Sequence, residues 1–212
     1  MRLAGRPLVE WSVAAMRAGR SVRSIVVACP SGHAHELAGG DLTVVEGGAT
    51  RARSVANALE AVGTELVAIH DAARPLVTPQ LVEGVVATLA ADPEADGAIA
   101  ATPVVDTIKR AQASPGMLSD SPPSSGDNRS ISIAATVDRG ELWAAQTPQV
   151  FRVEALRRAL AADPAAVEAA TDEAMLIEAA GGRVLIHPSA PENIKVTTPL
   201  DLRLAALLLA EP

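Results

Sequence analysis

Aromatic residues are almost missing from this sequence: there is no tyrosine, and Trp11, Trp143 and Phe151 are the complete set. Because 49% of the 212 residues are nevertheless apolar, Ala, Val and Leu must build the core, which suits helices packed on a parallel sheet. Cysteine is equally scarce. Cys29 stands alone, so no intrachain disulfide exists and a reducing, cytoplasmic setting is expected. No apolar run approaches the ~20 residues of a membrane-spanning helix; the longest, Leu204 to Ala210, ends what reads as an amphipathic segment. Cations are in deficit too. Lys and Arg number 18 against 25 Asp and Glu, a net charge of −7, which argues against nucleic acid as a general partner but leaves room for a local basic pocket. Arg2, Arg6, Arg17, Arg20 and Arg23 gather near the start, but Glu10 interrupts them and no small-residue cleavage site follows. An ordinary surface helix is expected there, not a targeting peptide. Neither a G-x-G-x-x-G fingerprint nor a Walker loop occurs, so a dehydrogenase or a P-loop kinase is unsupported. His33 and His35 lack cysteine or acidic companions at metal spacing and read as solvated.

What the chain does contain is an alternation. Pro7 to Gly19 reads as a helix, Ser24 to Ala28 as a β-branched strand stopped by Pro30, and Thr43 to Val45 as a second strand leading into Gly47-Gly48. Val55, Leu59 and Val62 share one helical face over Arg51 to Val62, and Leu66 to Ile69 is a buried-strand candidate. Thr78-Pro79 caps a helix marked by Leu81, Val82, Val85, Val86 and Leu89, and Gly97 to Val104 reads as a strand. This is the pattern of a doubly wound α/β sheet. The alternation breaks after Val104, where two β-like pieces, Val105 to Arg110 and Ser130 to Val137, flank a Ser-, Pro- and Gly-rich stretch. They read as an arm outside the main sheet, over about 105–138. Helices resume at Val153 to Ala162 and Asp172 to Ala180, Arg183 to His187 is a strand, and Thr198-Pro199 caps the last helix. With no repeats and no linker, a single domain over 1–212 is expected.

Ligands of open α/β sheets bind beyond the carboxyl ends of strands, and several polar clusters fall at such positions. Gly47-Gly48-Ala-Thr-Arg51-Ala-Arg-Ser54 follows a strand and opens a helix, so its amides can hold an anion with help from Arg51 and Ser54, although glycine here also serves steric ends. His70-Asp71-Ala72-Ala73-Arg74-Pro75 places a carboxylate at a strand end beside small residues and an arginine. Asp71 can hold a divalent metal and Arg74 can meet a phosphate, because Mg²⁺ takes one or two carboxylates plus phosphate oxygens; the plain alternative is an Asp71–Arg74 salt bridge in a turn. Thr171-Asp172-Glu173 reads most simply as a helix start capped by Thr171. Lys195, between Ile194 and Val196, is a charge that needs either a partner or solvent. Arg139 would ordinarily be a surface residue.

Taken together, the motifs resemble the 2-C-methyl-D-erythritol 4-phosphate cytidylyltransferase family. They are Leu3-Ala-Gly-Arg-Pro-Leu8, Gly47-Gly48 with Arg51 and Ser54, His70 to Pro75, and Pro103 to Arg110. Val137-Asp-Arg139, Leu142-Trp-Ala-Ala-Gln-Thr-Pro-Gln149, Thr171-Asp-Glu-Ala174 and Asn193-Ile-Lys-Val-Thr197 complete the set. The resemblance implies a Rossmann-like nucleotidyltransferase fold with a mostly parallel sheet, and a homodimer joined through the β-arm. It implies a Mg²⁺-dependent reaction of CTP with a phosphorylated polyol in non-mevalonate isoprenoid precursor synthesis. By position, Gly48, Ser54 and Ala72 resemble nucleotide contacts, with Gly47 and Arg51 beside them, and Asp71 resembles the metal and phosphate centre. Lys195 and Arg139 resemble the groups that position the attacking phosphate. Thr107, Thr147 and Thr171 resemble substrate-pocket groups, with Arg74 beside them, and Arg139 and Thr107 would come from the partner's arm. A relative acting on ribitol 5-phosphate and a non-catalytic dimeric remnant are the alternatives; the pair Ala72-Ala73 favours the methylerythritol enzyme.

The chain departs from the family pattern twice. Extra sequence at roughly 114–129 lengthens the arm, which is tolerable because loop closure costs grow slowly with length. The family also opens with a central strand and a glycine-rich loop whose arginine and lysine contact the triphosphate. This sequence starts at Met1-Arg2-Leu3, after that lysine, so no residue here takes those two roles; either the true start lies upstream or this is an inactive remnant, and the chain as it stands is expected to be inactive.

Overall fold

Thr50 and Thr78 show how directly local chemistry sets the elements. Each hydroxyl accepts from the backbone N–H three residues on, Arg53 and Leu81, both at 3.2 Å, satisfying donors that the first helical turn leaves without partners. They start helices α2 (Arg51–Leu59) and α3 (Pro79–Ala90). Pro79 occupies the first turn of α3, where its missing N–H costs nothing. The computed structural model describes residues 1–33, 42–112 and 131–210. The expectations for His35 and for the insertion at 114–129 lie outside the described residues.

Two compact units emerge, one comprising Met1–Thr102 with Ala145–Pro212 and the other Pro103–Ala144. In the first, β1 (Arg2–Leu3) and β2 (Arg6–Pro7) form a small antiparallel ladder before α1 (Leu8–Arg17). Pro7 therefore precedes the helix and does not open it. Strands β3 (Ile25–Cys29) and β4 (Leu42–Glu46) form a parallel pair. A four-stranded sheet follows, in the order β10 (Val184–Pro188), β6 (Gly97–Pro103), β9 (Trp143–Arg152), β5 (Leu66–Ile69). In it β10 and β6 run parallel, whereas β5 and β9 run antiparallel.

Helices α4 (Val153–Leu160), α5 (Pro164–Ala169), α6 (Glu173–Ala179) and α7 (Pro199–Ala210) complete this unit. The class is α/β, as expected. Strand β9 was not legible in advance, because Gln146, Pro148 and Gln149 interrupt its apolar pattern and an interior proline argues against a central strand. Nor is α7 amphipathic: Ala205 is buried, yet Leu200, Leu204 and Leu207 on its other side are exposed.

One side of the core gathers Phe151, Leu156, Ile177 and Leu59, and a second cluster holds Val85, Leu89, Ala98, Ala100 and Val150. Gly97 makes room for the one phenylalanine: a Cβ there would lie 2.4 Å from the ring Cδ1 of Phe151.

In the second unit, β7 (Lys109–Gln112) and β8 (Ser132–Thr136) pair antiparallel, with a register irregularity between Arg110 and Ala111. Every residue of both strands is exposed. The apolar side chains of Val105, Ile131 and Ile133 are exposed as well.

Candidate active site

Strand β5 ends at Ile69, so His70 and Asp71 leave the sheet at its carboxyl edge. Three hydrogen bonds then hold this corner. His70 Nε2 lies 3.2 Å from the Arg74 carbonyl, His70 Nδ1 lies 3.0 Å from Thr147 Oγ1, and the Asp71 N–H donates to Thr147 Oγ1 at 3.0 Å. A carbonyl only accepts, so Nε2 carries the proton. Burial pushes the His70 imidazole down to about 4, so near neutral pH the ring is uncharged and Nδ1 accepts from the Thr147 hydroxyl. That hydroxyl in turn accepts from Asp71. The Thr147 side chain, 4% exposed, thus frames the corner.

Lys195 reaches Asp71 because its neighbours are pinned. Ile194 and Val196 pack into the cluster with Leu3, which leaves the intervening side chain to point away from it. The Val196 N–H donates to the Ala73 carbonyl at 2.7 Å, and Arg74 Nη1 donates to the Asn193 carbonyl at 2.7 Å. Asn193 Nδ2 donates to Gln146 Oε1 at 2.8 Å and to the Thr147 carbonyl at 3.0 Å. Residues 193–196 are a segment stitched to the Asp71–Arg74 turn.

Both carboxylate oxygens of Asp71 face cations, Oδ2 at 2.8 Å from Lys195 Nζ and Oδ1 at 3.5 Å from Arg51 Nε. Burial opposes ionisation of Asp71, but the hydrogen bond and charge of Lys195, then Arg51 and Arg74, hold its carboxyl below the usual range. The simple Asp71–Arg74 salt bridge gives way to this arrangement, with Arg74 Nη1 turned to the Asn193 carbonyl. Burial draws Arg74 below its ordinary value against the pull of Asp71, and its Nε is buried without a partner.

A cavity of about 220 Å³ opens here, lined among the expected residues by Arg51, Asp71, Arg74, Thr147, Thr171 and Lys195. Ala145, Gln146, Gln149 and Asp172 also line it. Asp172, not Thr171, caps α6, accepting from the Met175 N–H at 3.0 Å, while its other oxygen accepts from Gln149 Nε2 at 2.9 Å. Gly47, Gly48, Ser54 and Ala72 do not line the cavity. Gly47 donates to the Cys29 carbonyl at 2.8 Å, and Gly48 donates to Ser54 Oγ at 3.0 Å. A Cβ on Gly48 would fall 2.2 Å from that of Arg53, so this turn tolerates only glycine. Thr107 and Arg139 belong to the second unit, where both are exposed and Arg139 Nη1 donates to the Val105 carbonyl.

Glu173 is the charged residue that sequence reasoning left among helix-start acids. Its side chain is fully buried, and both its oxygens lie 2.6 Å from Arg51 Nη1. The signal was present: positions 173, 176 and 177 share a helical face, and Leu176 and Ile177 are core residues.

The sequence model of the 2-C-methyl-D-erythritol 4-phosphate cytidylyltransferase family matches residues 1–211. A relative of that name from Synechococcus sp. is 41% identical over 215 residues, an alignment spanning 98% of this chain and 88% of the relative. Another from Bordetella petrii is 40% identical, spanning 95% and 85%. The crystal structure of the enzyme of that name from Thermus thermophilus superposes with a TM-score of 0.77 at 32% identity, covering 98% of this chain and 91% of that one.

Proposed function

The chain belongs to the 2-C-methyl-D-erythritol 4-phosphate cytidylyltransferase family, and from that membership we propose that the Asp71 cavity is where a polyol phosphate attacks CTP. The observation that carries the assignment is the Asp71 carboxylate, held at a strand end between Lys195 and Arg51 with Arg74 on the same wall. In the reaction an oxygen of the substrate phosphate bonds to the α-phosphorus of CTP, the bond from that phosphorus to the bridging oxygen breaks, and pyrophosphate leaves. Little covalent work falls to the protein; positioning and charge neutralisation do most of it.

Lys195 meets the attacking phosphate, and Arg74, on the cavity wall, supplies a second cation. A cavity of about 220 Å³ is below the ~300–1,000 Å³ of drug-sized sites, which suits the small phosphate alcohol and leaves the nucleotide to the Gly47–Ser54 turn, Arg51 and Ala72. Thr171 and Thr147 flank the alcohol. Among the described residues no cluster of three or more His, Cys, Asp or Glu could hold a metal unaided. That fits Mg²⁺, which accepts a single carboxylate when phosphate oxygens and water complete its shell. Asp71 would hold it, and the ion would supply charge neutralisation at the phosphates.

The test is pyrophosphate release from CTP and Mg²⁺ with each phosphate alcohol. With the chain supplied with the glycine-rich loop that the family carries, turnover of 2-C-methyl-D-erythritol 4-phosphate is expected, and a clear preference for ribitol 5-phosphate would sink the assignment.

The whole chain is read as one nucleotidyltransferase domain bearing a β-arm, and the exposed Val105, Ile131 and Ile133 suit that arm to a second copy of the chain. Arg139 and Thr107 then serve the partner's cavity. Arg139→Ala and Lys195→Ala should each lower turnover about 30- to 1,000-fold. Mixing the two variants should restore activity, because each mixed dimer regains one intact site. Verified mixed dimers that remain inactive would exclude the assignment across subunits.

A further inference from the structure

On the reading of the Asp71 cavity as the site of transfer, we propose that Glu173 is a positioning residue that acts through Arg51 on Asp71. Glu173, Arg51, Asp71 and Lys195 form a line of alternating charge whose members belong to four separate segments. Glu173 opens α6, Arg51 opens α2, Asp71 follows β5, and Lys195 lies between β10 and α7. The links measure 2.6 Å, 3.5 Å and 2.8 Å in that order. Along the line the side chains are 0%, 34%, 17% and 45% exposed, so Glu173 is its one fully buried member and Lys195 its most exposed.

The buried end is therefore the anchor. Glu173 has no surface with which to touch a substrate, yet it fixes the guanidinium that faces Asp71 Oδ1. Arg51 needs such an anchor, since it sits in the first turn of α2, where the helix dipole disfavours a cation. Without the anchor its long side chain gains rotamer freedom, and the orientation of Asp71 is no longer set from the Oδ1 side.

The expected kinetic consequence falls on kcat. Misorienting a reacting centre lowers the rate of the bound complex more than it weakens binding. In the full chain, Glu173→Gln should lower kcat about tenfold or more while leaving KM for CTP and for the phosphate alcohol within about threefold. Glu173→Asp, which keeps the charge, should recover part of the loss. Glu173→Met combined with Arg51→Met removes both charges without leaving either one buried alone, so it should fold and should match Arg51→Met by itself in kcat.

A second readout does not depend on turnover. The Arg51 Nε–H resonance, assigned through its loss in Arg51→Lys, should be protected from exchange in the parent and broadened or shifted in Glu173→Gln. A lower melting temperature with unchanged kcat and KM, or an Arg51 resonance indifferent to Glu173→Gln, would overturn the positioning role. If the parent, supplied with the family's glycine-rich loop, transferred no cytidylyl group at all, the site assignment would fall, and the Arg51 resonance would still decide whether Glu173 holds this side chain.

Discussion

Replacement of Asp71 by alanine is expected to lower turnover about 100- to 1,000-fold, the range for loss of one preorganised electrostatic contact at a reacting group. The effect on stability should be much smaller. Lys195 is 45% exposed and Arg51 34% exposed, so solvent takes over most of their charge once the carboxylate is gone, and pairs of this kind contribute on the order of 0–1 kcal/mol. What remains of that contribution has a definite pH dependence. The folded-state pKa of Asp71 is lowered, so its stabilisation is present above the unfolded value and is lost as pH falls through the folded one. The parent should therefore lose slightly more stability in acid than Asp71→Ala does.

Asp71→Asn separates charge from shape, because the amide preserves volume and one acceptor but neither neutralises Lys195 nor holds a cation. It should be nearly as slow as the alanine variant. Pyrophosphate release and thermal unfolding on the same preparations check this. Turnover within threefold of the parent for either variant would remove Asp71 from the centre of the site.

Phe151→Ala should be the most destabilising single truncation, at about 3–5 kcal/mol, because it combines lost burial with an unfilled cavity. Phe151 is fully buried, and on the Gly97 side the ring lies so close to the backbone that a Cβ would come within 2.4 Å of it. The backbone at Gly97 is fixed by β6 pairing with β10, so the site cannot collapse to refill the void. The melting temperature should fall by roughly 6–20 °C, taking ~2–4 °C per kcal/mol for a chain of this size. Gly97→Ala in the parent should also destabilise, by overpacking. Placing Gly97→Ala on Phe151→Ala should recover stability, since the new methyl enters the space that the ring has left. Unfolding in urea measures all three, and a loss below 1 kcal/mol for Phe151→Ala would refute this account of the core.

The cavity inherits much of its wall from the strand that Phe151 anchors. Gln146, Thr147 and Gln149 all belong to β9, and that strand was the element least visible beforehand. Its buried stretch carries glutamines because those side chains serve the corner: Gln146 receives Ser189 Oγ at 2.9 Å and Asn193 Nδ2 at 2.8 Å, and Gln149 reaches Asp172. A strand that spends its interior positions on a polar network does not show the apolar alternation by which strands are read.

Local signals, by contrast, carried further, although Asp172 and not Thr171 caps α6 and Pro7 precedes α1 and does not open it. Thr78 caps the helix that follows it, as expected, the runs at Ile25–Cys29 and Leu66–Ile69 became strands, and Asp71 at the exit of β5 lines the cavity. Asp71 and Lys195, chosen for a strand-end carboxylate and a charge between apolar residues, do converge. The sequence by itself thus determined the α/β class, most elements with local caps and periodicity, and a strand-end carboxylate that lines the cavity. Only the tertiary structure decided the partners. Arg51 and Glu173 are 122 positions apart and Asp71 and Thr147 are 76 apart. Which buried carboxylate meets which guanidinium over such separations is set by how α2, α6 and β9 pack together, because a charge removed from water must find its counterion in the fold.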